Sequence, residues 1–135
     1  MPGFLKTYLV ALAIMLPLDA AWIGWVAIDF YRTVLGPIML ETPRLGAAAL
    51  FYLLYPAGLV HFAIRGTDGV KPPAPALYAG ALFGFFAYMT YDLTNLATLR
   101  AYTTSLALLD IAWGSAVSAA TAGGTAFLLR RSAAG

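Results

Sequence analysis

The chain has no cysteine and one histidine, His61, among its 135 residues. The first absence excludes disulfides, thiolate metal sites and a cysteine nucleophile. The second leaves too few imidazoles for a histidine-built metal centre, so no metal site is expected. Charge is scarce as well: eight Lys and Arg against six Asp and Glu make up 10% of the residues, with a net charge of +2. Soluble domains carry about 25% charged residues, so this chain lacks the means to cover a water-facing surface. Its small basic excess lies at the ends of apolar segments, which fits membrane flanks and gives no nucleic-acid surface. The sequence also lacks a nucleotide-binding loop, a diiron pattern and a recognisable nucleophile–base pair, which weighs against catalysis. No cofactor is specified by the residues.

What the chain does have is apolar length. Hydrophobic residues make up 61% of it and the mean hydropathy is +0.80. Four segments, roughly 8–28, 45–64, 76–96 and 103–129, each approach or exceed the ~20 residues that cross a bilayer as a helix. The expected fold is therefore all-α, an integral membrane four-helix bundle filling residues 1–135 as a single transmembrane domain. Gly36-Pro37, Thr42-Pro43, the run Arg65–Gly69 and Lys71-Pro72-Pro73 punctuate the first two breaks. The third break has only Arg100 and threonines. Lys6, the run Tyr8–Leu16 and Pro17 imitate a signal peptide, but Asp19 falls where a small neutral residue is wanted and apolar character continues to Ile28. Pro17 and Pro56 should kink the first two spans by freeing the carbonyls of Ala13 and Tyr52. Asp29, Arg32, Glu41 and Arg44 read as an interfacial loop with a short amphipathic turn.

Lys6, Arg65, Lys71, Arg130 and Arg131 flank one side of these spans, and Arg32, Arg44 and Arg100 the other. The bias predicts that both termini are cytoplasmic. Two strings then stand out: Leu18-Asp19-Ala20-Ala21-Trp22 and Leu109-Asp110-Ile111-Ala112-Trp113. Each sets a carboxylate and an indole three residues apart, on one helix face. Ionised carboxylates in hydrocarbon are costly, so they need partners, a proton, a ligand or water. Counting the helical rise, Asp19, Asp92 and Asp110 fall roughly 20, 24 and 15 Å from Lys6, Ala76 and Arg100, which puts all three in one layer of the outer half.

The third span adds a stripe of Gly80, Gly84, Tyr88, Tyr91, Asp92 and Asn95. Its Gly-xxx-Gly part suits close helix packing, and the remainder is polar. The fourth span continues from Asp110 through Gly114 and Ser118, and the second offers Tyr52 and Tyr55. The candidate ligand-binding or proton-carrying residues are thus Asp19, Trp22, Asp92, Asn95, Asp110 and Trp113, supported by Tyr52, Tyr55, Tyr88, Tyr91 and Arg100. Arg100 reads as an interfacial cation able to reach inward, and His61 as a local hydrogen-bonding residue away from the layer.

The string Tyr91-Asp92-Leu93-Thr94-Asn95-Leu96-Ala97-Thr98-Leu99-Arg100, with Leu109–Gly114, Phe51–Tyr55 and Leu18–Trp22, resembles the bacterial predicted-membrane-protein family called domain of unknown function 2177. The resemblance covers nearly the whole chain. It implies a four-helix inner-membrane protein and brings no activity with it; His61 departs from the apolar residue usual there. Three functional classes stay open. One is proton-coupled transport or binding of a small solute, with a homodimer expected to enclose the pathway. Another is a site that binds or acts on a lipid, an isoprenoid or another hydrophobic molecule. The third is a structural or assembly partner of another membrane protein. Membrane lipid is a partner in every case.

Overall fold

A computed structural model describes residues 3–135 and is mostly helical. Five α-helices follow in order: α1 Phe4–Ala21, α2 Ile28–Leu35, α3 Leu45–Leu59, α4 Pro73–Thr98 and α5 Thr104–Ala134. The four expected spans fall on α1, α3, α4 and α5. Three stretches, Phe4–Val26, Leu45–Ile64 and Thr104–Ala134, are long and apolar enough to cross a membrane. With 26 residues α4 also has the length. The Tyr, Thr, Asp and Asn residues of its polar stripe hold its apolar character below that of the other three.

Pro17 and Pro56 lie inside continuous helix. Each is followed by a π-helical turn, Trp22–Val26 after α1 and Val60–Ile64 after α3. In the first, the Ala27 N–H donates to the Trp22 carbonyl at 2.8 Å, one residue further back than in an α-helix. The loop expected after the first span is more ordered than its composition suggests. It holds α2 and a 3-10 turn at Gly36–Ile38. Phe30, Tyr31, Val34 and Leu35 of this segment pack on Tyr102, Leu106 and Ala107, while Asp29, Arg32 and Thr33 are exposed. That division makes α2 an amphipathic helix laid against the start of α5.

The break after the second span is a small antiparallel hairpin, β1 Arg65–Gly66 with β2 Gly69–Val70. Gly69 closes its turn at φ 110°, a conformation that favours glycine. The third break ends on Thr103, whose hydroxyl caps α5 by accepting from the Leu106 N–H at 3.2 Å.

Helices α4 and α5 form the most extensive contact in the molecule. A Cβ added at Gly80 would lie 2.5 Å from the Ser118 carbonyl oxygen and 2.6 Å from the Ala122 Cβ. One added at Gly84 would collide with the Gly114 carbonyl and the Ser118 side chain. Small residues on both helices therefore let the backbones touch, as their spacing predicts. A second core joins Ala11, Leu59, Val60, Ala63, Ile64 and Ala122, tying α1 and the Val60–Ile64 turn to α5. Through that same turn α3 meets α4, whereas the body of α3 packs on α1. Between α3 and α4 the bridge is aromatic: Tyr55 meets Phe83 at 5.3 Å and Tyr88 at 6.0 Å between ring centres. Beyond Tyr55, toward α2, the two helices part.

The basic residues sort to the two ends. Arg130 reaches the Val70 carbonyl of the hairpin at 3.5 Å, Lys71 the Phe62 carbonyl at 3.4 Å, and Lys6 borders one groove with Leu128 of α5. At the opposite end are Arg32 on α2, Arg44 at the start of α3 and Arg100 after α4.

Candidate functional site

Toward the α2 end the bundle encloses a cavity of about 640 Å3. Its wall is built from every long helix and from α2. Asp19 and Trp22 come from α1 and its π turn, Tyr52 and Tyr55 from α3, Tyr88 and Tyr91 from α4, and Asp110 and Trp113 from α5. Eight of the eleven residues singled out in the sequence thus share one wall. The other three, Asp92, Asn95 and Arg100, are not part of it.

Asp19 is almost fully buried. One oxygen accepts from the Trp113 Nε1–H at 2.9 Å and the other from the Tyr52 hydroxyl. The second Asp-x-x-Trp string answers the first. Trp22 Nε1–H donates at 3.2 Å to the Tyr31 hydroxyl, which in turn donates to Asp110. Each indole therefore serves the carboxylate of the other helix, directly in one direction and through Tyr31 in the other. The two indoles stack at 4.5 Å with an interplanar angle of 2° and lock the crossing.

Asp92 lies behind this wall, fully buried. The Tyr102 hydroxyl donates to its Oδ1, and its Oδ2 has no hydrogen-bond donor. Asp110 is its neighbour, with the two carboxyls close enough to interact directly. All three carboxylates are consequently held by a tyrosine hydroxyl from a different element, and among the described residues no Lys, Arg or His lines the cavity. For Tyr31 and Tyr102, burial and then the hydrogen bond to the paired aspartate raise the phenol pKa well above its ordinary value. Both therefore remain donors at any physiological pH.

Tyr55 shares a hydrogen bond with Ser118 at 2.7 Å. The Tyr88 ring lies over Gly114, where any Cβ would overlap it, and its hydroxyl makes no hydrogen bond among the described residues. Asn95 lies beside Tyr91, one turn further along α4. Arg100 is exposed and makes no ion pair among the described residues, so the inward reach weighed for it is not taken. His61 is exposed, edge-on to Phe62 at the hairpin end.

Tyr31 and Tyr102, whose hydroxyls donate to Asp110 and Asp92, are site residues that helix periodicity misses. Both lie between spans, where no 3.6-residue pattern projects them toward the carboxylates. The signal for Tyr31 was the apolar set Phe30, Tyr31, Val34 and Leu35 beside exposed Asp29 and Arg32. Tyr102 carries no comparable local signal.

A family model described as predicted membrane protein (DUF2177) matches residues 4–127. No curated protein and no solved structure matches the chain.

Proposed function

The chain belongs to the predicted membrane protein family DUF2177, and we propose that it crosses a bacterial inner membrane four times and binds a small solute in exchange for a proton. On this reading α1, α3, α4 and α5 are the spans. The 26 residues of α4 extend about 39 Å, more than the ~30 Å of a hydrocarbon core. Five Lys and Arg residues at the hairpin end against three at the α2 end put both termini in the cytoplasm. The carboxylate layer then lies in the outer half.

The observation that carries the proposal is the cavity wall itself: the buried Asp19 and the half-buried Asp110, held by hydroxyl and indole donors, with no basic residue in the lining among the described residues to neutralise them. Two like charges side by side repel, and Asp92, buried behind the wall, loses its hydration as well, so Asp92 and Asp110 are best satisfied by one shared proton. That proton also supplies the donor that Asp92 Oδ2 lacks. A solute bringing positive charge or strong donors to Asp110 competes with it, and binding then releases it. Such exchange is the elementary step of proton-coupled transport, and a second copy of the chain would complete the pathway.

Infrared titration in lipid tests the shared proton. A carboxylic-acid stretch is expected at neutral pH in the native protein and absent from Asp92→Asn and Asp110→Asn. Its absence from the native protein overturns the exchange. Proteoliposomes challenged with a panel of amino acids, amines and organic cations should show solute-driven proton movement that Asp110→Asn abolishes; proton movement unaffected by that substitution sinks the assigned role.

A further inference from the structure

Resting on that reading, we infer that the cavity takes a lipophilic organic cation, admitted from the bilayer through the cleft between α3 and α4. Charge gives the sign. Asp19 and Asp110 face the cavity, Asp92 stands behind Asp110 with an unpartnered oxygen, and no basic side chain lines the space. Even with one proton shared between Asp92 and Asp110, the wall is anionic.

Ring chemistry gives the class. Trp22, Trp113, Tyr52, Tyr55, Tyr88 and Tyr91 all contribute to the wall. Aromatic faces attract a weakly hydrated organic cation, and most strongly where water is excluded. A small, heavily hydrated ion would leave its water for rings that coordinate it poorly. The donors on the wall are largely committed already, since Tyr52 and Trp113 serve Asp19 and Tyr31 serves Asp110. Attraction through charge and ring faces needs none of them to be released. The Tyr88 hydroxyl, which makes no hydrogen bond among the described residues, suits a polar substituent.

The route follows from the helix paths. The body of α3 stands away from α4, and they meet through the Val60–Ile64 turn and the rings around Tyr55. The cleft above is bordered by Phe51, 37% exposed, on one side and Tyr91, 58% exposed, on the other. Both also line the cavity, so the opening and the site are continuous. Leu35 and Met39 complete its lining on the α2 side. A ligand using this door must dissolve in lipid.

The test uses the full chain in phosphatidylcholine nanodiscs and three probes. Tetraphenylphosphonium is lipophilic and cationic, triphenylphosphine oxide lipophilic and neutral, tetramethylammonium cationic and polar. Tetraphenylphosphonium should bind saturably over empty nanodiscs, and the other two should bind more weakly by about tenfold or more. Asp19→Asn should weaken the first by about tenfold, and Asp68→Asn, in the hairpin turn away from the cavity, should leave it unchanged. Ala87→Trp, placed at the cleft, should slow association in stopped-flow. Equal binding of the phosphine oxide overturns the cationic class, and equal binding of tetramethylammonium overturns entry through lipid. If tetraphenylphosphonium fails to bind while aspartate-dependent proton movement with a polar solute persists, this inference falls and the proton-exchange reading stands. Saturable binding without any carboxylic-acid stretch supports the ligand class and removes the proton exchange.

Discussion

Toward the hairpin, α4 and α5 touch through Gly80, Gly84, Ser118 and Ala122. Toward α2, the same two helices carry Tyr88, Tyr91, Asp110 and Trp113 and border a cavity of about 640 Å3. The backbones are continuous between the two halves, so side-chain size decides where the bundle is solid and where it is hollow. Tyr88 over Gly114 marks the changeover: glycine on one helix accepts a full ring from the other. Small residues gain dispersion by letting backbones approach. Large rings hold them apart and leave a space that carboxylates can face.

The sharpest way to break this comparison is to place the same side chain, leucine, in each half. Gly84→Leu forces a side chain into the Gly114 carbonyl and Ser118, and should cost roughly 3 kcal/mol or prevent folding, as overpacking does at its worst. Ala87→Leu, one turn along on the cavity side, should leave the thermal midpoint in detergent close to that of the native protein. Equal damage from both would show that the cavity is as tightly specified as the seam.

A second pair separates charge from hydrogen bonding behind the wall. Asp92→Ala strands the Tyr102 hydroxyl in a buried place and should destabilise by about 2 kcal/mol, whereas Asp92→Asn keeps an acceptor and should cost under about 1 kcal/mol. A larger loss for Asn than for Ala would contradict the role of Asp92 as acceptor for the Tyr102 hydroxyl.

Alkaline pH probes the α2 end alone. The folded pKa values of Tyr31 and Tyr102 lie above the ordinary 10.0, so the folded protein binds more protons than the unfolded chain once the pH passes that value. The stability these phenols provide is complete below pH 10 and is lost as pH rises toward their folded values. Denaturant midpoints should therefore fall above this pH, and fall less in Tyr31→Phe, which starts lower by about 1 kcal/mol. A pH-independent midpoint would contradict the pairing. The smallest effect is expected for Trp22→Phe. It keeps an aromatic ring against Trp113 and loses only the 3.2 Å bond to Tyr31, about 0.5 kcal/mol in the same measurement.

Helical spacing made much of this legible before any coordinates. Asp19 with Trp22, Asp110 with Trp113, and the stripe from Gly80 to Asp92 each follow from a period of 3.6, because a helix in lipid must resolve its polar groups within itself or on one face. Two things escaped it. Tyr31 and Tyr102 sit in connecting segments, whose position over the bundle is set by tertiary packing against Leu106 and Ala107. The cavity escaped too, since its existence depends on the divergence of α3 from α4 and no single helix records that. Arg100 was given a reach that its exposed position does not use. Burial of the carboxylates with tyrosines removed the need for it.

The bond from Trp113 to Asp19 joins residues 94 positions apart, and that from Tyr52 to Asp19 residues 33 apart. During synthesis the N-terminal aspartate is thus delivered to the insertion machinery long before either partner exists. It receives Tyr52 with the second apolar helix and Trp113 only with the last. Until then its carboxyl lacks one of its two folded-state donors, so a chain truncated before residue 113 carries a half-satisfied acid. The crossed Asp–Trp arrangement thus makes the arrival of α5 the event that completes the bonding of the first helix.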